Sequence, residues 1–96
     1  MNLTEVQLKE IEELAGLFLE PEEIAILLDL NENEFQESIR RKKGLAWRHY
    51  FKGKTESKRA IHENVVKMAK HGSPQAEDMA NQMMINQETA ERRAKR

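Results

Sequence analysis

The chain has 96 residues, 39% hydrophobic and 34% charged, with a formal net charge of -1, a length near the lower limit at which one apolar core closes on itself. That excludes a multidomain enzyme and predicts a small core beneath a large solvated surface. With no cysteine there is no disulfide framework or thiolate zinc site, the N-terminus lacks the layout of a secretory signal, and the longest apolar run, Ile24 to Leu28, is far below the roughly 20 residues that cross a bilayer, so a cytoplasmic protein without membrane contact is expected.

Every strong local signal is helical, and the pattern predicts an all-α fold of five helices. Thr4 with Gln7 forms a capping box, after which Leu3, Val6, Ile11, Leu14, Ala15, Leu17 and Phe18 share a broad face opposite Glu5, Lys9, Glu12 and Gly16. A first helix over 4–19 follows. Pro21, behind Glu20 and ahead of two acids, starts a short second helix over 21–28. Asp29-Leu30-Asn31 interrupts it, and Asn31 with Glu34 caps a third helix over 32–42, whose buried stripe is Phe35 and Ile39. A long fourth helix runs from Leu45 to His71, with Gly72 placed to terminate it, and Ser73-Pro74 begins a last helix carrying Ala76, Met79, Ala80, Met83 and Met84. Within the fourth helix, Lys52 to Arg59 is polar on every face, which predicts either a solvated stem between two small cores or a break at Gly53. The resulting division is a three-helix core over 1–44, a helical hairpin and assembly region over 45–86, and a frayed polar tail over 87–96.

The near-neutral total conceals a segregation of charge. Residues 1–37 carry eleven acids against Lys9, whereas residues 38–72 carry eleven bases against Glu56 and Glu63. A basic block of this kind produces a local field for a polyanion; the bland reading is mutual neutralisation across the fold or between subunits. A short helix, a three-residue turn and a second capped helix is also the layout of a helix-turn-helix, although three-helix cores use the same corner for packing alone. If the second of these helices reads DNA, its face opposite Phe35 and Ile39 is Asn33, Gln36, Glu37, Arg40 and Arg41, with amides suited to adenine and guanidinium groups suited to guanine. Arg40, Arg41, Lys42 and Lys43, followed by Arg48, Lys52, Lys54, Lys58 and Arg59, would neutralise phosphates along one edge. Glu32, Glu34 and Glu37 oppose that field, so few base contacts are expected.

From Leu14 to Met84 the chain resembles the small-subunit terminases of tailed phages and related prophage DNA-binding proteins, on the run Leu14 to Leu30, on Trp47 to Lys58 and on the corner from Lys70 to Ala76. The resemblance implies that helix Glu32 to Lys43 recognises a packaging site on double-stranded viral DNA in a bacterial host. It also implies that the later helices assemble subunits into a ring that works with a terminase large subunit. The apolar stripe of the last two helices is narrow for an isolated hairpin, so Ile61, Val65, Met68, Met79 and Met83 are expected at the interface of a homo-oligomer. The rival reading is a helical interaction module that never binds DNA, its acidic first third meeting a basic partner.

Catalytic and cofactor motifs are not found. Gly53-Lys54-Thr55 resembles the end of a phosphate-binding loop, but the first glycine of that motif would fall on Arg48 and no strand precedes it. His49, His62 and His71 lack the i, i+4 spacing of a helical metal pair, and Ser73 is explained as a cap. No metal, no cofactor and no enzymatic activity are expected. Trp47, Tyr50 and Phe51 amid bases offer stacking surfaces for nucleotides, yet sealing a helix junction explains them better.

Overall fold

A computed structural model describes residues 1–95, and among these there are five helices and no strand: α1 (Glu5–Ala15), α2 (Pro21–Leu27), α3 (Glu32–Arg41), α4 (Gly44–Lys70) and α5 (Pro74–Ala94). The caps are those the side chains dictate. Gln7 N–H donates to Thr4 Oγ1 at 3.1 Å while Thr4 N–H donates to Gln7 Oε1 at 2.9 Å, which satisfies two of the orphan donors at the helix start. Asn31 Oδ1 accepts from Glu34 N–H at 2.9 Å, and Ser73 Oγ accepts from Ala76 N–H at 3.3 Å. At α2, Glu20 N–H donates to the Glu23 carboxylate at 2.9 Å, and Pro21 takes the first helical position.

Three helices stop by one device, a following residue in the left-handed region that folds the chain back onto the last carbonyls. After α2 it is Asp29 (φ 53), whose successor Leu30 donates to the Ala25 carbonyl at 2.8 Å. After α3 it is Lys42 (φ 57), with Lys43 N–H on the Ser38 carbonyl at 3.3 Å. After α4 it is Gly72 (φ 93), with Ser73 N–H on the Met68 carbonyl at 3.2 Å. The α2–α3 corner is therefore closed by backbone hydrogen bonds, with the fully buried Ala25 at its base.

The chain forms two compact units, Met1–Lys58 and Arg59–Arg96. In the first, Leu8, Ile11, Ala15, Ile24, Ala25, Phe35 and Ala46 form the core, with Leu14, Leu28, Ile39 and Tyr50 packed around it. Tyr50 meets Phe35 edge-on, ring centroids 6.5 Å apart, a favoured aromatic geometry. The core thus extends beyond residue 44, because Ala46 and Tyr50 at the start of α4 complete it. In the second unit Val65 and Ala76 are the buried apolar residues.

The structure departs from the sequence expectations in several places. The first helix ends at Ala15, since Pro21 holds Glu20 extended (ψ 154) and the chain turns at Phe18 (φ 62); Leu17 and Phe18 are left exposed. Gly53 neither breaks α4 nor lies in a solvated stem. It is buried where the backbone of α1 crosses, and a Cβ there would fall 2.0 Å from the Glu12 carbonyl oxygen. Gly16 lies at the same crossing, where a Cβ would meet Ser57 Oγ at 2.8 Å. Last, α5 continues through the residues expected to fray, to Ala94; Glu88 and Arg92 pair at 4.0 Å, and strong helix formers with arginines in the last turn maintain it without burial. Arg96 lies outside the described residues.

The crossing also buries Glu12, which the sequence pattern placed on the solvated face. Its carboxylate is hydrogen-bonded to His49 Nδ1, and Lys9 Nζ and Lys52 Nζ lie 3.7 and 3.9 Å from Oε1. The His49 hydrogen bond holds the Glu12 carboxyl below its ordinary value of 4.5, against the opposing effect of burial. Replacing Gly53 by Ala tests the crossing. Helix propensity alone would stabilise by about 0.5–1 kcal/mol, but the clash with α1 backbone outweighs it, and we expect a net loss of about 1–3 kcal/mol in urea unfolding. Glu12 adds a pH dependence. Because its folded value is depressed, its contribution is complete above 4.5 and is lost as the pH falls through the lower folded value. Glu12→Gln is expected to be less stable than wild type at neutral pH, the gap closing on acidification; a gap independent of pH would show that ionisation is irrelevant.

Candidate nucleic-acid interface

Helix α3 is anchored by Phe35, which is fully buried, with Ile39 half-buried beside it. At about 100° per residue the opposite face carries Asn33, Gln36, Glu37, Arg40 and Arg41. Asn33, Gln36, Arg40 and Arg41 are exposed, and Glu37 is half-buried among them. Asn31 caps the N-terminal end of this face and the left-handed Lys42 closes the other, so its length is set by two local hydrogen-bonded turns.

Glu37 organises the centre of the face. Arg40 donates to it through two nitrogens, Nε to Oε2 at 3.1 Å and an amino nitrogen to Oε1 at 2.5 Å, while Arg41 Nε donates to Oε1 at 2.7 Å. The Arg40 hydrogen bond holds the Glu37 carboxyl below its usual range, and the same contact raises Arg40. Both guanidinium groups are tied to one carboxylate, so the centre of α3 carries a single net positive charge. An open hollow of about 360 Å³ beside it is walled by Glu34, Glu37, Ser38, Arg41 and Lys43; with two carboxylates in its wall it is a poor seat for phosphate.

The remaining basic residues do not line one edge. Lys42 and Lys43 are exposed at the end of α3, and Arg48, Lys52 and Lys54 are exposed on α4. On α4, Arg48 and Lys52 are about 40° apart, with Lys52 flanking the crossing with α1, whereas Lys54 is about 160° round from Lys52, beside Trp47. Lys52 is further drawn towards Glu12 and Glu56, each at 3.9 Å. Of the aromatic cluster, Tyr50 seals the junction with α3, and burial raises its phenol above the ordinary value. Trp47 and Phe51 stack on each other, centroids 5.5 Å apart, with Phe51 half in solvent.

In the second unit, Ile61, Met68 and Met79 are exposed and Met83 is half-buried, but Val65, grouped with them from sequence, is inside the hairpin. Among the described residues no group of three or more His, Asp or Glu converges as a metal site. Among the described residues no helix is long and apolar enough to cross a membrane. The Glu12–His49 pair and the Glu37 fork were not anticipated from sequence; Glu37 and Arg41 at i, i+4 were the available sign of the fork. No protein-family model, curated protein or solved structure matches the chain.

The fork generates a test in salt. Glu37→Gln releases both guanidinium groups and adds one positive charge to the face. Duplex binding at low salt is expected to tighten, and the slope of log affinity against log salt to steepen by about one. An unchanged slope would place Arg40 and Arg41 away from phosphate.

Proposed function

We infer that the chain is a non-enzymatic helix-turn-helix protein that binds double-stranded DNA, with α2 as the supporting helix and α3 as the reading helix. One observation carries the reading: a helix pinned by the buried Phe35 presents Asn33, Gln36, Arg40 and Arg41 together on its free side. Those side chains form paired hydrogen bonds to adenine and guanine edges. The tight α2–α3 corner supports it, as do the bases Lys42, Lys43 and Arg48 nearby in sequence, which are suited to phosphate. The exposed carboxylates Glu32 and Glu34 at the start of α3 limit how closely its N-terminal turn approaches the backbone, so affinity is weak and falls steeply with salt. The narrower role, packaging-site recognition in a phage or prophage beside a terminase large subunit, rests on the sequence resemblance.

A second reading is favoured by the surface of α2, where Ile26 and Leu27 are exposed next to Glu22 and Glu23. That combination suits a basic partner protein with an apolar contact. Charge reversal separates the two. Fluorescence anisotropy of a labelled mixed-sequence duplex, titrated at about 50 and 200 mM salt, is expected to show binding that weakens by orders of magnitude. Arg40→Glu with Arg41→Glu is expected to abolish it. Wild type that does not bind at the lower salt, or a double variant that binds as well, would move the function to the α2 surface.

A further inference from the structure

The three aromatic residues at the start of α4 have different surroundings. Tyr50 packs against the core and meets Phe35. Trp47 and Phe51, one helical turn apart, stack on each other instead, their planes 13° from parallel, in the offset arrangement that aromatic rings favour; Phe51 is 51% exposed. At about 100° per residue, Trp47, Phe51, Lys54 and Lys58 fall within an arc of about 60°, and Arg48 lies about 60° beyond Phe51. The three bases are exposed, and among the described residues none of them forms an ion pair. Glu56, the one acid between Gly44 and Lys58, is about 180° round from Trp47. The stripe therefore joins two stacked rings to free positive charge with no acid beside them on the helix.

We propose that this stripe binds an unpaired nucleic-acid strand, one base stacking on the Trp47–Phe51 pair while Lys54, Lys58 and Arg48 hold neighbouring phosphates. The site is on a different helix from the duplex-reading face of α3, and the proposal does not depend on that reading. Two rings so close to parallel are already two layers of a stack. A base adds to the solvent side of Phe51 as a third layer in the same orientation, and covers apolar surface that α4 otherwise leaves in water. Every base has a π-face, so contact of this kind tolerates any sequence.

The combination of rings and charge selects the occupant. A duplex keeps its base faces stacked inside, so it satisfies the lysines and gives the rings nothing. An apolar protein segment covers the rings and leaves three cations without partners. An unpaired strand supplies both a free base face and a row of phosphates. From Trp47 to Lys58 the stripe is about 16 Å long at 1.5 Å per residue, which limits the contact to a few nucleotides. With two or three phosphates held, binding is weak and depends on salt.

The full chain carries a single tryptophan, so its intrinsic emission reports on Trp47 alone. Titration at about 50 mM salt with an oligodeoxythymidylate of about 12 nucleotides is expected to quench that emission saturably, and inorganic polyphosphate, which has charge but no bases, to leave it unchanged. Phe51→Ala is expected to weaken oligonucleotide binding roughly 5- to 150-fold, the range for one stacked base, and Phe51→Tyr, which keeps the ring, to retain it. Circular dichroism checks that both variants remain helical. Lys54→Gln with Lys58→Gln is expected to lower the slope of log affinity against log salt by about 1.4. Arg40→Glu with Arg41→Glu, aimed at duplex binding by α3, is expected to leave the quenching intact, so the two readings fail separately. Absence of quenching in the wild type, equal quenching by polyphosphate, a helical Phe51→Ala that binds as tightly as wild type, or loss of quenching in the α3 double variant would each overturn the proposal.

Discussion

The first unit depends on how closely α1 and α4 pass. Where they cross, main chain meets main chain, and the space exists because residue 53 has no side chain. Glycine within a helix costs about 1 kcal/mol relative to alanine, so α4 carries a local penalty for the sake of this approach. What the approach secures is the placement of everything after Gly44. With α4 drawn onto α1, Ala46 enters the core and Tyr50 comes edge-on to Phe35. Phe35 in turn decides which side of α3 faces outward.

The same crossing encloses a carboxylate, and an enclosed charge is tolerated only where partners replace the lost water. Glu12 has three: the His49 imidazole in direct contact and two lysines at the margin. Lys9 comes from α1 itself and Lys52 from α4, so the acid is held from both helices. A buried ion pair adds little net stability, but it penalises alternative packings that would leave the carboxylate alone. Here a shift of α1 by one helical position along α4 would separate Glu12 from His49 and press a side chain against Gly53. The glycine and the carboxylate therefore enforce one register by two different penalties.

The helices were legible in the sequence wherever a side chain acts on its own backbone. Thr4 with Gln7, Pro21 behind Glu20, Asn31 and Ser73 each fix a start within one residue, because capping is a short-range exchange of hydrogen bonds. The outward side of α3 was legible for a related reason, since one buried aromatic sets the rotation of a short helix. Long-range effects were not. Gly53 read as a weak point because propensity sees a missing side chain and not the neighbour that fills the gap. Glu12 read as solvated because charge on a helix usually is, and the imidazole that receives it lies 37 positions away. Val65 read as part of an intersubunit stripe because periodicity identifies apolar positions without saying which helix covers them. The basic run reads as one edge in the sequence because adjacency along a chain does not carry over to a helix surface, where Lys52 and Lys54 point to different sides of α4.

The crossing has a form that can be written in letters. At the end of α1 the carboxylate and the capping glycine are four residues apart, Glu12 and Gly16; on α4 the imidazole and the glycine have the same spacing, His49 and Gly53. Each helix thus presents one polar group and one bare stretch of backbone, and the two presentations interlock as complementary halves. Neither half is useful without the other, so the four positions should be inherited or lost together. A distant cousin whose surface has drifted beyond alignment would still be recognisable by Glu-x-x-x-Gly at the end of a first helix and His-x-x-x-Gly on a fourth.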